Sequence, residues 1–386
     1  MSLPIDKSAH SLLLISFPHQ LLHALSALKY YRMREGIPEH APAIIFVWAY
    51  QSSRHAPKSS LRKIIDCAIH DFPFVTLVFP TLTERRYHLS PFRTLIHRVD
   101  RVRTRLRSFA IDAILFAHDA SADQTAQVLL QSFPEAYAIC FGDPPGFLYP
   151  QFHSQHKKNY IKRLIWGSRT RGLSSLLSPA LSIVAIDFYK NSNTAHGNVL
   201  VLPRDLVVET LASIQRGLDH IKKDLYVDYK NPEGNANSLY ILLLSNFSES
   251  GLTSKANELA LYSDICKQFD SKNVKIMIKP HFGTSPAFLN KLTKCLSAYC
   301  PEILPPLAGQ IPIEFFPDLI KQSSVISVSS SSALLAHLFK KQISHALTAT
   351  RIQRYFKADR VAYMLEANQA IENSLSASMD RAQGVV

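Results

Sequence analysis

Short apolar stretches rich in β-branched residues alternate with longer helix-forming stretches along almost the whole chain of 386 residues. This alternation predicts βαβ units and therefore a parallel sheet. In the first part of the chain, the predicted strands are Ser11–Ser16, Ala43–Tyr50, Phe74–Phe79, Ala113–Ala117, Ala136–Phe141, Leu181–Ile186 and Val199–Leu202. The predicted helices there are Gln20–Arg34, Ser59–Asp71, Pro91–Ser108 and Ser121–Ser132.

A polar, turn-rich segment, Tyr229–Ser238, predicts a linker between two domains, residues 1–230 and 236–386. The chain is also too long for one ordinary core. The second domain repeats the βα pattern, with strands at Leu239–Leu244, Val274–Ile278, Val325–Val328 and His345–Thr348, and helices at Lys255–Phe269, at Pro286–Tyr299 and from near Ala333. The tail after Ala362 is predicted to be a helix that can pack back on the first domain. The fold class is therefore α/β, with two domains.

The composition is that of a globular protein, with 47% hydrophobic and 19% charged residues. The apolar runs Ala43–Tyr50 and Leu239–Phe247 have the length of strands, well below that of a membrane span. The start of the chain shows no signal-peptide pattern. Five scattered cysteines have no metal-binding spacing. We therefore expect a reduced, cytoplasmic protein without a structural metal.

The charge is strongly positive, with 43 Lys and Arg against 30 Asp and Glu, a net charge of +13. Such a field favours polyanions, whether nucleic acid, anionic lipid or an acidic sugar. Arg93, His97, Arg101 and Arg105 recur every four residues and would form one stripe of a helix. A solvated helix face explains any single arginine, but for the whole cluster we favour anion binding.

In parallel sheets, ligands bind beyond the carboxyl ends of the strands. Ser16 and Gln20 follow the first predicted strand, and Asp119 follows the fourth. The sharpest motif, GDPPG (Gly142–Gly146), follows the fifth, and its prolines hold Asp143 on a restricted loop. A carboxylate fixed there suits a general base, although capping of a turn explains an aspartate equally well.

In the second domain, Lys279 and His281 lie between a strand and a helix that Ser285 and Pro286 begin. A helix N-terminus favours an anion, but a single histidine is more often structural. Farther along, Glu314 offers a carboxylate in a loop or early helix. The segment VISVSSSSALL (325–335) is a strand, a serine-rich turn and a helix, which suggests either an anion cradle or plain turn chemistry.

Together these segments resemble the bacterial sialyltransferases of the GT-B fold, and most of all the capsule polysialyltransferase-like family. The acidic motif corresponds to Gly142–Asp143, the His motif to Lys279–Phe282 and the serine motif to Ser331–Leu334. Glu314 falls where the family places a carboxylate for the ribose, and Ser16–Leu22 resembles the family's first-strand loop. Two departures are a single carboxylate in the acidic motif and a Phe, not Pro, after His281.

The resemblance implies two Rossmann-like domains facing across a cleft. It also implies an inverting transfer of sialic acid from CMP-sialic acid to a hydroxyl of a cell-surface glycan. No metal is expected, because CMP leaves as a monophosphate with fewer charges than a diphosphate. Asp143 would be the general base and His281 the stabiliser or acid at the leaving phosphate. The expected nucleotide-binding residues are Glu314, Ser331, Ser332, Lys279, Asn246 and Ser248, with Ser250 beside them.

The acceptor is expected to be an anionic or lactosyl-type glycan. The residues assigned to it are Ser16, Gln20, Asp119, Arg93, Arg101 and Arg105. The arginine stripe would alternatively dock the protein at phospholipid headgroups on the inner face of the bacterial plasma membrane. Nucleic acid is not an expected partner in this interpretation.

Three alternatives stay open. The first keeps the fold and changes the sugar, to a CMP-Kdo transferase or a transferase of another nucleotide sugar. The second is a basic nucleic-acid-binding protein without transferase activity, which would explain the charge but not the residues at the strand ends. The third is a regulatory protein that binds a nucleotide without turning it over.

Overall fold

The computed structural model describes residues 10–15, 17–47, 58–78, 102–104, 106–117, 129–130, 132–142, 180–186, 199–221, 238–269, 274–281 and 283–383. The chain forms two compact units. The first comprises residues 1–49 and 69–210, and the second comprises residues 50–68 and 211–386.

The elements up to residue 221 follow the predicted alternation. In chain order they are β1 (His10–Ile15), α1 (Gln20–Glu35), β2 (Ala43–Val47), α2 (Lys58–Ala68), β3 (Val75–Val78), β4 (Ile111–Ala117), β5 (Tyr137–Gly142), β6 (Leu181–Val184), β7 (Val199–Val201) and α3 (Arg204–Leu218). The strands form one parallel sheet in the order β3-β2-β1-β4-β5-β6-β7. The prediction of a parallel sheet is confirmed, and each described strand end lies within a few residues of its predicted position.

The central strands of this sheet are apolar without interruption, because a parallel sheet buries both of its faces. Leu12 and Leu14 of β1, Ile44 and Phe46 of β2 and Phe116 of β4 belong to one core cluster, each at most 1% exposed. This explains why these strands show continuous apolar runs, not the apolar–polar alternation of a half-exposed sheet.

A buried arginine fixes the connection from α1 to β2. Arg32 is 2% exposed, and its guanidinium donates hydrogen bonds to the carbonyls of Glu39, Ala41 and Pro42. Its Cζ also lies 4.9 Å from the ring centroid of Phe74. Burial lowers the pKa of Arg32 to about 10, and the charge of Glu39 partly opposes this. The guanidinium thus donates hydrogen bonds to three backbone carbonyls of the loop between α1 and β2 and holds that loop in place.

The second unit repeats the βα pattern from residue 238 onward. Its elements are β8 (Ser238–Leu243), α4 (Lys255–Cys266), β9 (Val274–Lys279), α5 (Pro286–Cys295), β10 (Glu302–Ile303), α6 (Pro306–Gln310), α7 (Pro317–Gln322), β11 (Ser324–Ser327), α8 (Ser331–Phe339), β12 (Ser344–His345), α9 (Ala349–Tyr355) and α10 (Ala358–Gln383). The strands form a parallel sheet in the order β10-β9-β8-β11-β12.

Some predicted boundaries were wrong. The helix predicted for Pro286–Tyr299 ends at Cys295 and gives way to a 3₁₀ turn, Ser297–Tyr299. Pro301 explains why the 3₁₀ turn does not continue, because a proline disfavours helical backbone in the residue before it, here Cys300. Helix α8 begins at Ser331, two residues before the expected start. The sequence analysis also missed α3, although Pro203 and an acidic first turn at Asp205 are ordinary helix-start signals.

The tail is a helix, as predicted, but it begins at Ala358 instead of after Ala362. It packs against α8 and α9 of its own unit. Tyr363, Met364, Ala367 and Ile371 form the buried side of the helix. Among the described residues, every helix is either too short or too polar to cross a membrane.

Within the second unit, α2 and the part of α3 from Leu211 onward approach each other closely at a glycine. A Cβ atom on Gly217 would lie 2.1 Å from the carbonyl oxygen of Cys67. Only a glycine allows this contact, because backbone atoms cannot withdraw as the end of a flexible side chain can.

We expect Gly217→Ala to lower the free energy of unfolding by about 1–3 kcal/mol, because the added methyl must push the two helices apart. In an open helix position the same change would stabilise by up to about 1 kcal/mol. Gly309→Ala is the control, since the nearest atom to its added methyl is 3.7 Å away. Urea denaturation of the two variants checks this, and equal stabilities would contradict the close approach.

Candidate functional site

The chain order of the second sheet defines where a ligand can enter. The chain runs from β8 to β9 and β10 on one side, then returns to the other side of β8 as β11 and β12. The gap beyond the carboxyl ends of β8 and β11 is therefore a topological switch point, the usual ligand position in open α/β sheets. Residues that follow β8, β9 and β11 are the candidates for binding.

Asn246, after β8, and His281, after β9, come together around Gly283. A Cβ on Gly283 would lie 2.7 Å from Asn246 Nδ2 and 3.7 Å from His281 Nδ1. The Gly283 N–H donates to His281 Nδ1 at 3.3 Å, so that nitrogen acts as an acceptor and a proton on the neutral ring is on Nε2. Two residues that the sequence assigned to the nucleotide are thus neighbours at adjacent strand ends.

The helix that follows begins as predicted. The Ser285 side chain caps α5 by accepting the Phe288 N–H at 3.3 Å, and Pro286 occupies the first helical position. Thr284, one residue earlier, has a buried Oγ1 without a hydrogen-bond partner among the described residues. The sequence analysis missed Thr284, although a second hydroxyl directly before a cap residue was a visible signal. A buried hydroxyl of this kind can bind a polar ligand group.

The loop after β8 is held by a carboxylate that the sequence analysis did not single out. Glu258, in the first turn of α4, accepts the Phe247 N–H at 3.2 Å and the Ser248 N–H at 2.9 Å. Burial raises the pKa of Glu258, while its hydrogen bonds from Ser248 and Phe247 act in the opposite direction. Glu258 thereby holds the backbone N–H of Ser248 in a hydrogen bond, and it fixes the backbone next to Asn246.

Lys279, the last residue of β9, and Glu314 are both buried, and their charges influence each other. Lys279 Nζ donates to the Gly309 carbonyl at 2.6 Å and to the Pro280 carbonyl at 3.1 Å. Burial lowers the pKa of Lys279 to about 8, against the effect of Glu314. Burial likewise raises the pKa of Glu314 to about 7, against its own backbone N–H and Lys279. The observed partners of these two residues are protein groups. That they contact a nucleotide stays a prediction.

The serine turn, defined here as Ser329–Ser332, lies between β11 and α8. The N–H and the hydroxyl of Ser332 both reach the Ser329 carbonyl, at 3.1 and 2.7 Å. The Ser329 hydroxyl donates to that of Ser331 at 3.4 Å. Ser332 is 0% exposed, whereas Ser331 is partly exposed. Ser330, the cap residue of α8, makes no side-chain capping bond to the helix.

In the first unit the structure describes only part of the predicted acceptor side. Gln20 is 4% exposed, and its Oε1 accepts the Phe17 N–H at 3.3 Å in the turn that begins α1. Gly142 is the last residue of β5 and has a φ of 148°, a backbone conformation that residues other than glycine rarely adopt. Six predicted site residues lie outside the described residues: Ser16, Asp119, Asp143, Arg93, Arg101 and Arg105.

Comparison with known proteins shows similarity in structure but not in sequence. No protein-family model and no curated protein matches the chain. The UDP-GlcNAc 2-epimerase from Neisseria meningitidis bound to UDP-GlcNAc is similar, with a TM-score of 0.50 and 12% identity over 84% of this chain and 79% of that one. The UDP-GlcNAc 2-epimerase from Methanocaldococcus jannaschii matches with a TM-score of 0.47 and 12% identity, over 94% and 92%. The glycotransferase of kitacinnamycin matches with 0.46 and 12% identity, over 97% of both chains.

The similarity to the Neisseria enzyme, together with the two parallel sheets, defines the fold as GT-B-like. The predicted fold class is therefore confirmed. At 12% identity the likeness establishes the fold alone.

Proposed function

We propose that this chain is an inverting glycosyltransferase that moves a sialic acid from CMP-sialic acid to a hydroxyl of a glycan. One observation carries the proposal. Asn246, His281 and the serine turn follow β8, β9 and β11, at the switch point of the second sheet. Polar groups that follow neighbouring parallel strands support a nucleotide site at this edge of the sheet.

The same site suits a nucleoside monophosphate. Helices α5 and α8 are the next elements after β9 and β11, and the N-terminal N–H groups and dipole of a helix favour a phosphate. His281 lies between β9 and α5, and its Nε2–H would donate to the phosphate and stabilise the charge that grows there as CMP leaves. Ser331 of the partly exposed turn and Asn246 offer neutral hydrogen bonds to the same ligand.

The transfer step assigns a role to Asp143, which follows directly on β5. Its carboxylate takes the proton of the acceptor hydroxyl as that oxygen bonds to the anomeric carbon of the sugar. The bond from the anomeric carbon to the phosphate oxygen breaks, and CMP leaves with its electron pair beside His281. Attack on the face opposite CMP inverts the anomeric carbon. The stripe of Arg93, Arg101 and Arg105 would bind an anionic acceptor or a headgroup surface.

A second candidate is an enzyme of UDP-sugars, either a transferase or a 2-epimerase. The observation that favours it is the TM-score of 0.50 to a UDP-GlcNAc 2-epimerase bound to its substrate. The groups around His281 and the serine turn address a phosphate, so they suit either nucleotide. The choice between cytidine and uridine therefore requires a measurement.

The test is a donor panel with purified protein. CMP-sialic acid, CMP-Kdo, UDP-GlcNAc and GDP-sugars are each incubated with lactosyl and oligosialyl acceptors, and nucleotide release and product mass are followed. Product from CMP-sialic acid is the expected result. Turnover of UDP-GlcNAc without an acceptor would favour the epimerase instead. If the protein shows neither turnover nor nucleotide binding but binds DNA or RNA in a salt-sensitive way, nucleic-acid binding replaces the proposal.

We expect Gly283→Ala to weaken CMP binding by about tenfold or more, the factor that about 1.4 kcal/mol represents. The added methyl would lie 2.7 Å from Asn246 Nδ2 and must displace that side chain from its position beside Gly283. Gly309→Ala is again the matched control, because its methyl meets only ordinary contacts near Pro280. Calorimetric titration with CMP measures both, and unchanged affinity in Gly283→Ala would exclude Asn246 from the site.

A further inference from the structure

A chain of hydrogen bonds runs from the serine turn to the last helix. Ser332 Oγ lies 3.0 Å from His345 Nδ1, and His345 Nε2 lies 2.7 Å from Asn368 Oδ1. Asn368 Nδ2 donates to the Glu372 carboxylate at 2.8 Å. The chain joins α8, β12 and α10, and its first two links join residues 13 and 23 positions apart in sequence.

The proton on His345 can be assigned from these partners. Because Asn368 Nδ2 donates to Glu372, Asn368 Oδ1 faces His345, and His345 Nε2 must carry a proton. The Ser332 hydroxyl has only one proton for two neighbours, the Ser329 carbonyl and His345 Nδ1. Burial lowers the pKa of His345 and thereby favours the neutral ring, whose Nδ1 competes with the Ser329 carbonyl for the Ser332 proton. His345 therefore acts directly on the bond that closes the serine turn.

The order Ser–His–Asn also occurs in nucleophilic catalytic triads. Here, however, Ser332 is 0% exposed and its N–H and hydroxyl are directed at Ser329. A substrate cannot reach such an oxygen. The chain of bonds therefore supports the turn and does not attack a ligand.

We propose that His345, oriented by Asn368 and Glu372, is a positioning residue that holds Ser332 and thereby sets the shape of the serine turn for a nucleotide phosphate. The identity of the ligand in this inference rests on the proposed function. The role of His345 in holding the turn rests only on the hydrogen bonds. It reassigns Ser332 from a phosphate contact to a support. Ser331, partly exposed in the same turn, becomes the serine that meets the phosphate.

Two substitutions separate the two nitrogens of His345. An asparagine places its amide near the position of Nδ1 and can still bond Ser332. A glutamine reaches the position of Nε2 and can still bond Asn368, but it loses Ser332. A residue that merely fills space would respond similarly to both changes, so the comparison isolates the bond to Ser332.

The first measurement is amide hydrogen exchange across residues 329–334 without any nucleotide. We expect His345→Gln to accelerate exchange there by about fivefold to tenfold, and His345→Asn to change it less than about threefold, in line with one lost hydrogen bond. In titrations with CMP and with UDP, we expect His345→Gln to lose more affinity for the nucleotide than His345→Asn does. Equal exchange in the two variants would overturn the proposal.

If the proposed function is wrong, the results differ from those expected if the role of His345 is wrong. If the wild type binds neither CMP nor UDP, the nucleotide site is wrong, but the exchange experiment still decides the role of His345. If either variant fails to fold, the imidazole ¹⁵N resonances of His345 are compared between the wild type and Ser332→Ala. A shift confined to Nδ1 supports the bond to Ser332, and no shift overturns the proposal.

Discussion

Asp143→Asn is expected to lower the rate of sugar transfer by about 10²–10⁴ while leaving CMP affinity nearly unchanged. An asparagine keeps the size of the side chain but cannot take the proton of the acceptor hydroxyl. The nucleotide is assigned to the second unit, around His281 and the serine turn, so its binding does not require the carboxylate. Single-turnover rates and CMP titration of the same preparation measure the two effects separately.

Asp112→Asn is the matched control for that variant. Asp112 is exposed near the amino end of β4, whereas Asp143 follows the carboxyl end of β5, the neighbouring strand. The charge change is identical, but Asp112 is at the edge of the sheet opposite to the proposed site. Equal losses in both variants would point to a general effect of charge. Full activity of Asp143→Asn would remove Asp143 as the base.

Arg32→Met is expected to lower the free energy of unfolding by about 3–5 kcal/mol, because several carbonyls lose charge-assisted donors together. Methionine fills most of the aliphatic volume, so the loss reports on the guanidinium and not on a cavity. Its partners are the carbonyls of Glu39, Ala41 and Pro42, together with the ring of Phe74. Urea denaturation with an intrinsic fluorescence signal measures the change.

Arg34→Met on the same helix provides the control. The Arg34 side chain is 49% exposed, and within the part of the chain that the structure describes it pairs only with the neighbouring Glu35, at 3.6 Å. Exposed ion pairs contribute about 0–1 kcal/mol, so this variant should be nearly as stable as the wild type. A loss for Arg32→Met no larger than that for Arg34→Met would mean that the α1–β2 connection is held by other contacts.

The sheets could be predicted from the sequence because their signals are local. The buried strands of a parallel sheet are continuous apolar runs, as at Leu12–Ile15 and Ile44–Val47. The start of α5 was likewise visible in two adjacent residues, Ser285 and Pro286. Such features depend on a few neighbours along the chain, which sequence patterns describe well.

The supporting groups of the site could not be predicted in the same way. Glu258 reaches back to Phe247 and Ser248, and His345 connects Ser332 with Asn368. Each partner is ordinary in its own segment, and only the folded chain brings it to the other. The predicted contacts Lys279 and Ser332 are engaged by protein groups for the same reason, since burial and competing carbonyls have no local signature.

Helix α2 is assigned to the second unit, although the chain of the first unit continues for a long stretch after it. During synthesis α2 therefore leaves the ribosome well before α3, which it meets at Gly217. At roughly 5–20 residues per second, this interval lasts on the order of ten seconds. During that time Ile64 and Ile65, both 0% exposed in the finished fold, lack their final surroundings. The nascent chain thus carries an amphipathic helix whose apolar side is not yet covered, a natural target for chaperones that bind during translation.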